Sequence, residues 1–129
     1  MLKTMPQKIL IVDDEMHIRA LIEQTLEELE DEGVDILTAS NGQEGLRLIK
    51  AEHPQLVFLD VMMPRMNGFE VCHAVKNKMR RTDIYIVTLT AKGQEFDRQK
   101  GEEVGADIYM TKPFNPDALL DKAREILQL

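Results

Sequence analysis

The chain has 129 residues, 43% apolar and 30% charged, the length and balance of one globular domain rather than a disordered chain. Its 23 acids against 16 Lys and Arg give a formal charge of −7, which argues against nucleic acid or an anionic membrane as the main partner. One cysteine, Cys72, excludes an internal disulfide and a multi-cysteine zinc site. No apolar run approaches the roughly 20 residues that span a bilayer. The opening MLKTMPQK lacks the apolar centre of a signal peptide, so a cytoplasmic protein is expected.

In chain order, ILIV (Ile9 to Val12) is a short continuous apolar run and reads as the first strand. Ile18, Leu21, Ile22, Thr25, Leu26 and Leu29 recur at helical spacing. They predict one first helix that ends in the acidic stretch EELEDE, Glu27 to Glu32. That stretch opposes the helix dipole and reads as a solvated helix end. DILTA (Asp35 to Ala39) is the second strand. Ser40 followed by Gln43 resembles a capping box and opens a helix with Leu46 and Ile49 inside. LVFL (Leu56 to Leu59) is the third strand, and Phe69, Cys72, Val75 and Met79 mark the third helix. IYIVTL (Ile84 to Leu89) is the fourth strand, followed by a weaker helix from about Glu95 to Val104. DIYM (Asp107 to Met110) is the fifth strand. Asn115 and Pro116 read as N-cap and first residue of a last helix carrying Leu119, Leu120, Ala123, Ile126 and Leu127. Five strands alternating with five helices predict βαβ crossovers and a parallel sheet covered on both faces. The expected fold is a doubly wound α/β domain over residues 1–129, with its core at about 8–127.

In such sheets, sites form beyond the carboxyl ends of the strands. Asp13, Asp14 and Glu15 follow strand 1, and Asp60 ends strand 3. Thr88 and Thr90 follow strand 4, and Lys112 with Pro113 follows strand 5. If strands 1, 3, 4 and 5 are neighbours, three carboxylates share one crevice with a lysine and a threonine. Clustered carboxylates repel and require a cation or shifted pKa values. Mg²⁺ suits an all-oxygen set that phosphate oxygens complete, whereas zinc would want imidazole or thiolate. An Asp carboxylate can attack phosphorus to give an acyl phosphate, with Lys112 and Thr90 meeting the phosphoryl oxygens. No Walker-type glycine loop is present, so a nucleoside triphosphate is not the expected ligand. His17, His53 and His73 read as surface or boundary residues, and Cys72 as a small core residue. Removing one crowded charge, as in Asp13→Asn, is expected to stabilise the metal-free protein.

ILIVDDE, LVFLDVMMPRMNGFEV, TLTAK and YMTKPF, in this order and spacing, resemble the receiver domain of two-component response regulators from about Lys8 to Leu127. The resemblance implies the flavodoxin-like strand order 2-1-3-4-5. It casts Asp60 as acceptor of a phosphoryl group from a histidine kinase or phosphotransfer protein. It makes Asp14 a direct Mg²⁺ ligand, Asp13 a ligand through water, and Asp60 and the Met62 carbonyl further ligands. Thr90 becomes the hydroxyl that moves toward the phosphoryl group, Lys112 the phosphate-binding lysine with a cis bond to Pro113, and Tyr109 the aromatic switch. Pro64 and Gly68 match the loop that leads from Asp60 into the third helix. The family's frequent Gly-Ala-Asp-Asp is GADI here. Ile108 replaces the second acid, which weakens the charge pairing of a dimer through the fourth helix, fifth strand and fifth helix.

The implied function is a phosphorylation-controlled signalling switch, not an enzyme. Its face of fourth helix, fifth strand and fifth helix would bind an unidentified downstream protein, with no direct contact to nucleic acid or membrane, as a monomer or weak dimer. Such a receiver either stands free or is the first domain of a longer regulator; the intact Met1 and the chain end at Leu129 favour the free-standing reading without deciding between the two. The alternative is a haloacid-dehalogenase-like Mg²⁺-dependent phosphatase, which would want Asp-x-Asp where this chain has Asp13-Asp14. A flavin-binding electron carrier of the same architecture would want a phosphate-binding loop where this chain puts acids.

Overall fold

The apolar runs become strands and the amphipathic stretches become the layers that cover them. The computed structural model describes residues 6–91 and 95–129, without the side chains of residues 95–98. Residues 1–5, and Lys92 of the TLTAK motif, lie outside the described residues. The strands are β1 (Lys8–Val12), β2 (Asp35–Ala39), β3 (Leu56–Asp60), β4 (Tyr85–Ala91) and β5 (Ile108–Lys112). The helices are α1 (Met16–Thr25), α2 (Glu27–Asp31), α3 (Gly42–Glu52), α4 (Gly68–His73), α5 (Glu95–Val104) and α6 (Pro116–Leu127). The sheet order is β2-β1-β3-β4-β5 and every pair is parallel, as expected. Among the described residues, no helix is long and apolar enough to cross a membrane.

Because alternate residues of a strand face opposite ways, both sheet faces are apolar. Leu10, Val12, Val57, Leu59 and Ile86 enter the core shared with Ile49, Val71, Cys72 and Val75 of the α3 and α4 side. Ile9, Ile11, Leu56, Phe58, Val87 and Leu89 enter the core shared with Ile22, Leu26, Leu119 and Ala123 of the α1 and α6 side. Two-sided burial is what keeps these strands continuous apolar runs. Each fully buried Leu, Ile or Phe contributes roughly 1.5–3 kcal/mol, offset mainly by chain entropy. Cys72 belongs to this core, where burial pushes its thiol up to about 12, so it is no nucleophile at neutral pH.

Three local details differ from expectation. The first helix is broken at Leu26 (φ −93°, ψ 3°), giving six helices instead of five. The Thr25 hydroxyl donates to the Leu21 carbonyl at 2.8 Å, a bond of the kind that bends helices. The break turns Glu28 and Glu32 toward α6, where Arg124 donates to both, to Glu32 at 2.6 Å. This hydrogen bond holds the Glu32 carboxyl below its ordinary value. The acidic stretch is thus a tie between α2 and α6 as well as a solvated end. Second, α3 is capped by Asn41, which accepts from the Glu44 amide at 2.8 Å, not by Ser40 with Gln43. Asn41 is the residue whose extended backbone directs its side chain back over the first turn. Third, α4 widens into a π turn over Ala74–Lys78, where the Met79 amide reaches the Ala74 carbonyl at 2.8 Å.

Gly68 starts α4 hard against the end of β3. A Cβ there would lie 2.3 Å from the Asp60 carbonyl oxygen and 2.9 Å from the Val61 Cα. Both are backbone atoms that cannot swing aside. Gly68→Ala is therefore expected to destabilise the protein by about 1–3 kcal/mol in equilibrium urea unfolding, while Gly33→Ala, with open space around its Cβ, pays only the positive-φ strain.

Candidate functional site

The strand order sets the carboxyl ends of β1, β3, β4 and β5 along one rim. Asp13 directly follows β1, Asp60 is the last residue of β3, and Lys112 is the last of β5. The side chains of all three meet. Lys112 Nζ donates to Asp13 Oδ2 at 2.7 Å and to Asp60 Oδ1 at 3.1 Å. Asp13 is fully buried and Asp60 only 4% exposed, so this is a mostly desolvated triad and not a surface ion pair. The peptide bond between Lys112 and Pro113 is cis, as the resemblance implied.

Local structure fixes each partner. Asp13 Oδ1 accepts the Glu15 amide at 2.9 Å, an Asx turn that leads the chain into α1. Arg19, one turn into α1, donates from Nη1 to the Asp13 carbonyl at 2.7 Å. Asp60 Oδ1 also accepts the Met62 amide at 3.4 Å. Asp14 stands exposed beside the buried pair, and oxygens of Asp13, Asp14 and Glu15 lie within 4.8 Å of one another. That all-oxygen set, with a further carboxylate at Asp60 and no thiolate or imidazole in the cluster, fits a hard divalent cation of the Mg²⁺ type.

The remaining expected residues are placed as follows. Thr90 is 3% exposed near the end of β4. It follows Leu89, the register partner of Asp60, and precedes Ala91, the partner of Lys112. Thr88 does not join the site, because the strand continues to Ala91 and the Thr88 hydroxyl donates to the Ile108 carbonyl at 3.4 Å. Tyr109 stays outside the carboxylate cluster. It is 37% exposed and lines a groove of about 440 Å³ between α5, β5 and α6. The Met62 side chain is exposed. Pro64 and Arg65, the latter at φ 67°, carry the chain from Asp60 to the Asn67 capping box of α4. Arg19 and the Met62 amide are contacts the sequence did not announce. An arginine on a helix and a backbone amide carry no compositional signal.

One cation between two buried anions leaves a deficit. Burial pushes the Asp60 carboxyl up, the charge of Asp13 raises it further, and Lys112 only partly opposes them, so it is pushed up to about 7. Burial works against the Lys112 ammonium, but its bonds to Asp13 and Asp60 raise it above its ordinary value. The geometry shifts the expected stabilising substitution from Asp13 to Asp60. Asp13 makes the shorter bond to Lys112 and holds the Glu15 amide, so Asp13→Asn would set an amide NH₂ or a lost acceptor against those donors.

Because the folded Asp60 carboxyl lies above its unfolded value of about 4, its contribution to stability is complete below about pH 4. It is lost as pH rises to the folded value near 7. Asp60→Asn, neutral throughout, is therefore expected to be more stable than wild type in metal-free buffer above pH 7, by on the order of 2–4 kcal/mol. The difference should shrink in acid. Urea unfolding at acid and at mildly alkaline pH checks both sign and trend.

The profile of the response regulator receiver domain matches residues 9–124. The chain is 43% identical over 122 residues to the probable transcriptional regulator ycf27 of Porphyra purpurea, covering 95% of this chain and 48% of that protein. It is 44% identical over 124 residues to the alkaline phosphatase synthesis transcriptional regulatory protein PhoP of Bacillus subtilis (strain 168), covering 96% and 50%. It thus spans about half the length of these curated relatives. Among solved structures it resembles the chemotaxis protein CheY4 of Vibrio cholerae, with a TM-score of 0.82, 34% identity, and coverage of 95% of this chain and 99% of that one. Nothing in the family match or the fold supports the haloacid-dehalogenase-like reading. With its parallel 2-1-3-4-5 sheet, its rim of Asp13, Asp14, Asp60, Thr90 and Lys112, and this match over most of its length, the chain belongs to the response regulator receiver domain family, the signalling switches of two-component systems.

Proposed function

We propose that Asp60 is the phosphoacceptor of this receiver, and that the chain is a single receiver domain working in the cytoplasm as a switch and not as an enzyme of metabolism. The observation that carries the reading is the Lys112 ammonium, held within hydrogen-bond distance of both Asp13 and Asp60. Lys112 then has a position from which to pass from Asp60 oxygen to phosphoryl oxygen. The acceptor stands at the end of its strand, backed by the Met62 amide at 3.4 Å. The donor is a phosphohistidine of a kinase or phosphotransfer protein, or a small acyl phosphate.

In the transfer, an Asp60 oxygen forms the new P–O bond as the P–N bond of phosphohistidine breaks, and the departing imidazole takes up a proton. Asp13, Asp14, Asp60 and the Met62 carbonyl would hold Mg²⁺. When bound, the ion supplies positive charge that keeps Asp60 ionised and offsets the charge of the phosphoryl group. Phosphoryl transfer asks mainly for such positioning and neutralisation. Lys112 meets the phosphoryl oxygens, and the Thr90 hydroxyl donates to them from the end of β4. Drawing Thr90 inward opens space behind it for Tyr109, now on the surface of the α5–β5–α6 groove. That rearrangement would alter the face offered to a downstream protein. Ile108, half-buried against the α1 and α6 core, replaces an acid that would otherwise point to charge pairing, consistent with a monomer or weak dimer.

Two outcomes are expected. Incubated with acetyl phosphate and Mg²⁺, wild type acquires acid-labile phosphate and Asp60→Asn does not, because an amide is no nucleophile. Equal labelling of the two would remove Asp60 from the role. Saturating Mg²⁺ raises the melting temperature of wild type, a ligand at a hundredfold its Kd adding about 2.7 kcal/mol, and Asp14→Ala loses most of that rise. Calorimetry with and without the ion distinguishes this from a general salt effect, since Na⁺ at equal ionic strength gives no such shift.

A further inference from the structure

The open edge of β2 is an unused part of the sheet. Asp35 donates its amide to Gln7 of the β1 side, and the Ala39 carbonyl accepts from Asp13. In a parallel ladder the residues between alternate outward. Ile36 and Thr38 therefore point their amides and carbonyls away from β1, and β2 is the terminal strand of the sheet. Beside that edge, Met16, Ala20, Glu23, Gln24, Glu27 and Thr38 line a groove of about 490 Å³. Its walls mix apolar surface, with Met16 74% exposed, and acids. Glu30 closes the groove on the α2 side.

Charge decides what this edge can receive. Eight acids and no Lys or Arg fall between Ala20 and Leu46, and three of them, Glu23, Glu27 and Glu30, line the groove. Arg124 compensates Glu28 and Glu32. Glu23, Glu27 and Glu30 are exposed on the groove and form no ion pair among the described residues. The one basic residue of the lining, Arg19, is committed to the Asp13 carbonyl at 2.7 Å. An exposed strand edge offers backbone hydrogen bonds to any extended chain. Acids along the neighbouring helix favour a chain carrying Lys or Arg and repel an acidic one, including a second copy of this side of the molecule.

We propose that a partner protein docks an extended, Lys- or Arg-rich segment on β2 as a sixth strand, with its basic side chains along Glu23, Glu27 and Glu30. The site is at the opposite edge of the sheet from β5 and the Tyr109 groove, so a receiver could engage this partner and a downstream protein together. The proposal is independent of the phosphoacceptor assignment.

The test uses the full chain with a peptide of alternating lysine and valine, and its glutamate–valine counterpart, followed by amide hydrogen exchange and isothermal titration. The lysine peptide slows exchange at Ile36 and Thr38, and its affinity falls as salt rises. Replacing the groove acids together, Glu23→Gln, Glu27→Gln and Glu30→Gln, weakens it about tenfold, the sum expected of a few exposed charge pairs. Thr38→Pro, which deletes an outward amide without removing a bond to β1, abolishes it. Melting curves show that both variants are folded, and labelling by acetyl phosphate is unchanged in the triple variant. No binding of the lysine peptide, equal binding of the glutamate peptide, protection confined to the residues around Asp13 and Asp60, or full affinity in the folded triple variant would each overturn the proposal.

Discussion

The ammonium of Lys112 faces two buried carboxylates and can neutralise only one. Asp13 takes the shorter bond, at 2.7 Å against 3.1 Å for Asp60. The arrangement is costly to the fold, because burying an under-compensated charge opposes folding. That cost is localised at one residue, the last of β3. Burial and the charge of Asp13 push the Asp60 carboxyl well above the ordinary Asp range, so a change in local positive charge shifts the balance between its protonated and ionised forms. Under the proposed function, the same imbalance that opposes folding is what would make the site answer to a cation and to a phosphoryl group.

The rest of the molecule serves to hold that imbalance in place. Nearly all of the apolar surface of β1, β3 and β4 is buried on both sides of the sheet, which makes the strand ends rigid platforms. The order 2-1-3-4-5 puts β3 between β1 and β4, so Asp60 has Asp13 on one side and the Thr90 end of β4 on the other. Gly68 then lets α4 begin in contact with the Asp60 backbone, and the capping box of Asn67 and Glu70 fixes that start. Farther out, Asp107 accepts both the Ile86 amide at 2.8 Å and the Lys76 ammonium at 2.9 Å. The single acid of the GADI sequence thus anchors β5 to β4 and to the π turn after α4.

The fold was readable in the sequence because its signals are periodic and redundant. Five apolar runs and the amphipathic stretches between them admit few arrangements, and the strand-end residues Asp13, Asp60 and Lys112 lie where α/β sheets form sites. What escaped depends on single contacts. The break at Leu26 comes beside one hydroxyl, Thr25, bonding back to Leu21, on a stripe whose spacing continues unbroken to Leu29. The tie of Arg124 to Glu28 and Glu32 joins residues more than ninety positions apart, so the acidic stretch could be read only as a solvated end. Asn41 took the cap from Ser40 through a difference of one residue in where the backbone turns helical. At the site, the strand-end positions implied that three carboxylates would crowd, but only the distances show that Lys112 leans to Asp13 and leaves Asp60 exposed to the repulsion.

The most direct measurement is a carboxyl ¹³C titration of the metal-free protein, following Asp60 and Asp13 through the acid and neutral range. The triad described above requires the Asp60 resonance to titrate near 7, far above an ordinary Asp, and to move to lower pH when Mg²⁺ is added. An Asp60 carboxyl that titrates near 4 without metal, or one that does not respond to Mg²⁺, would contradict the account of Lys112 as a single cation divided between two buried anions.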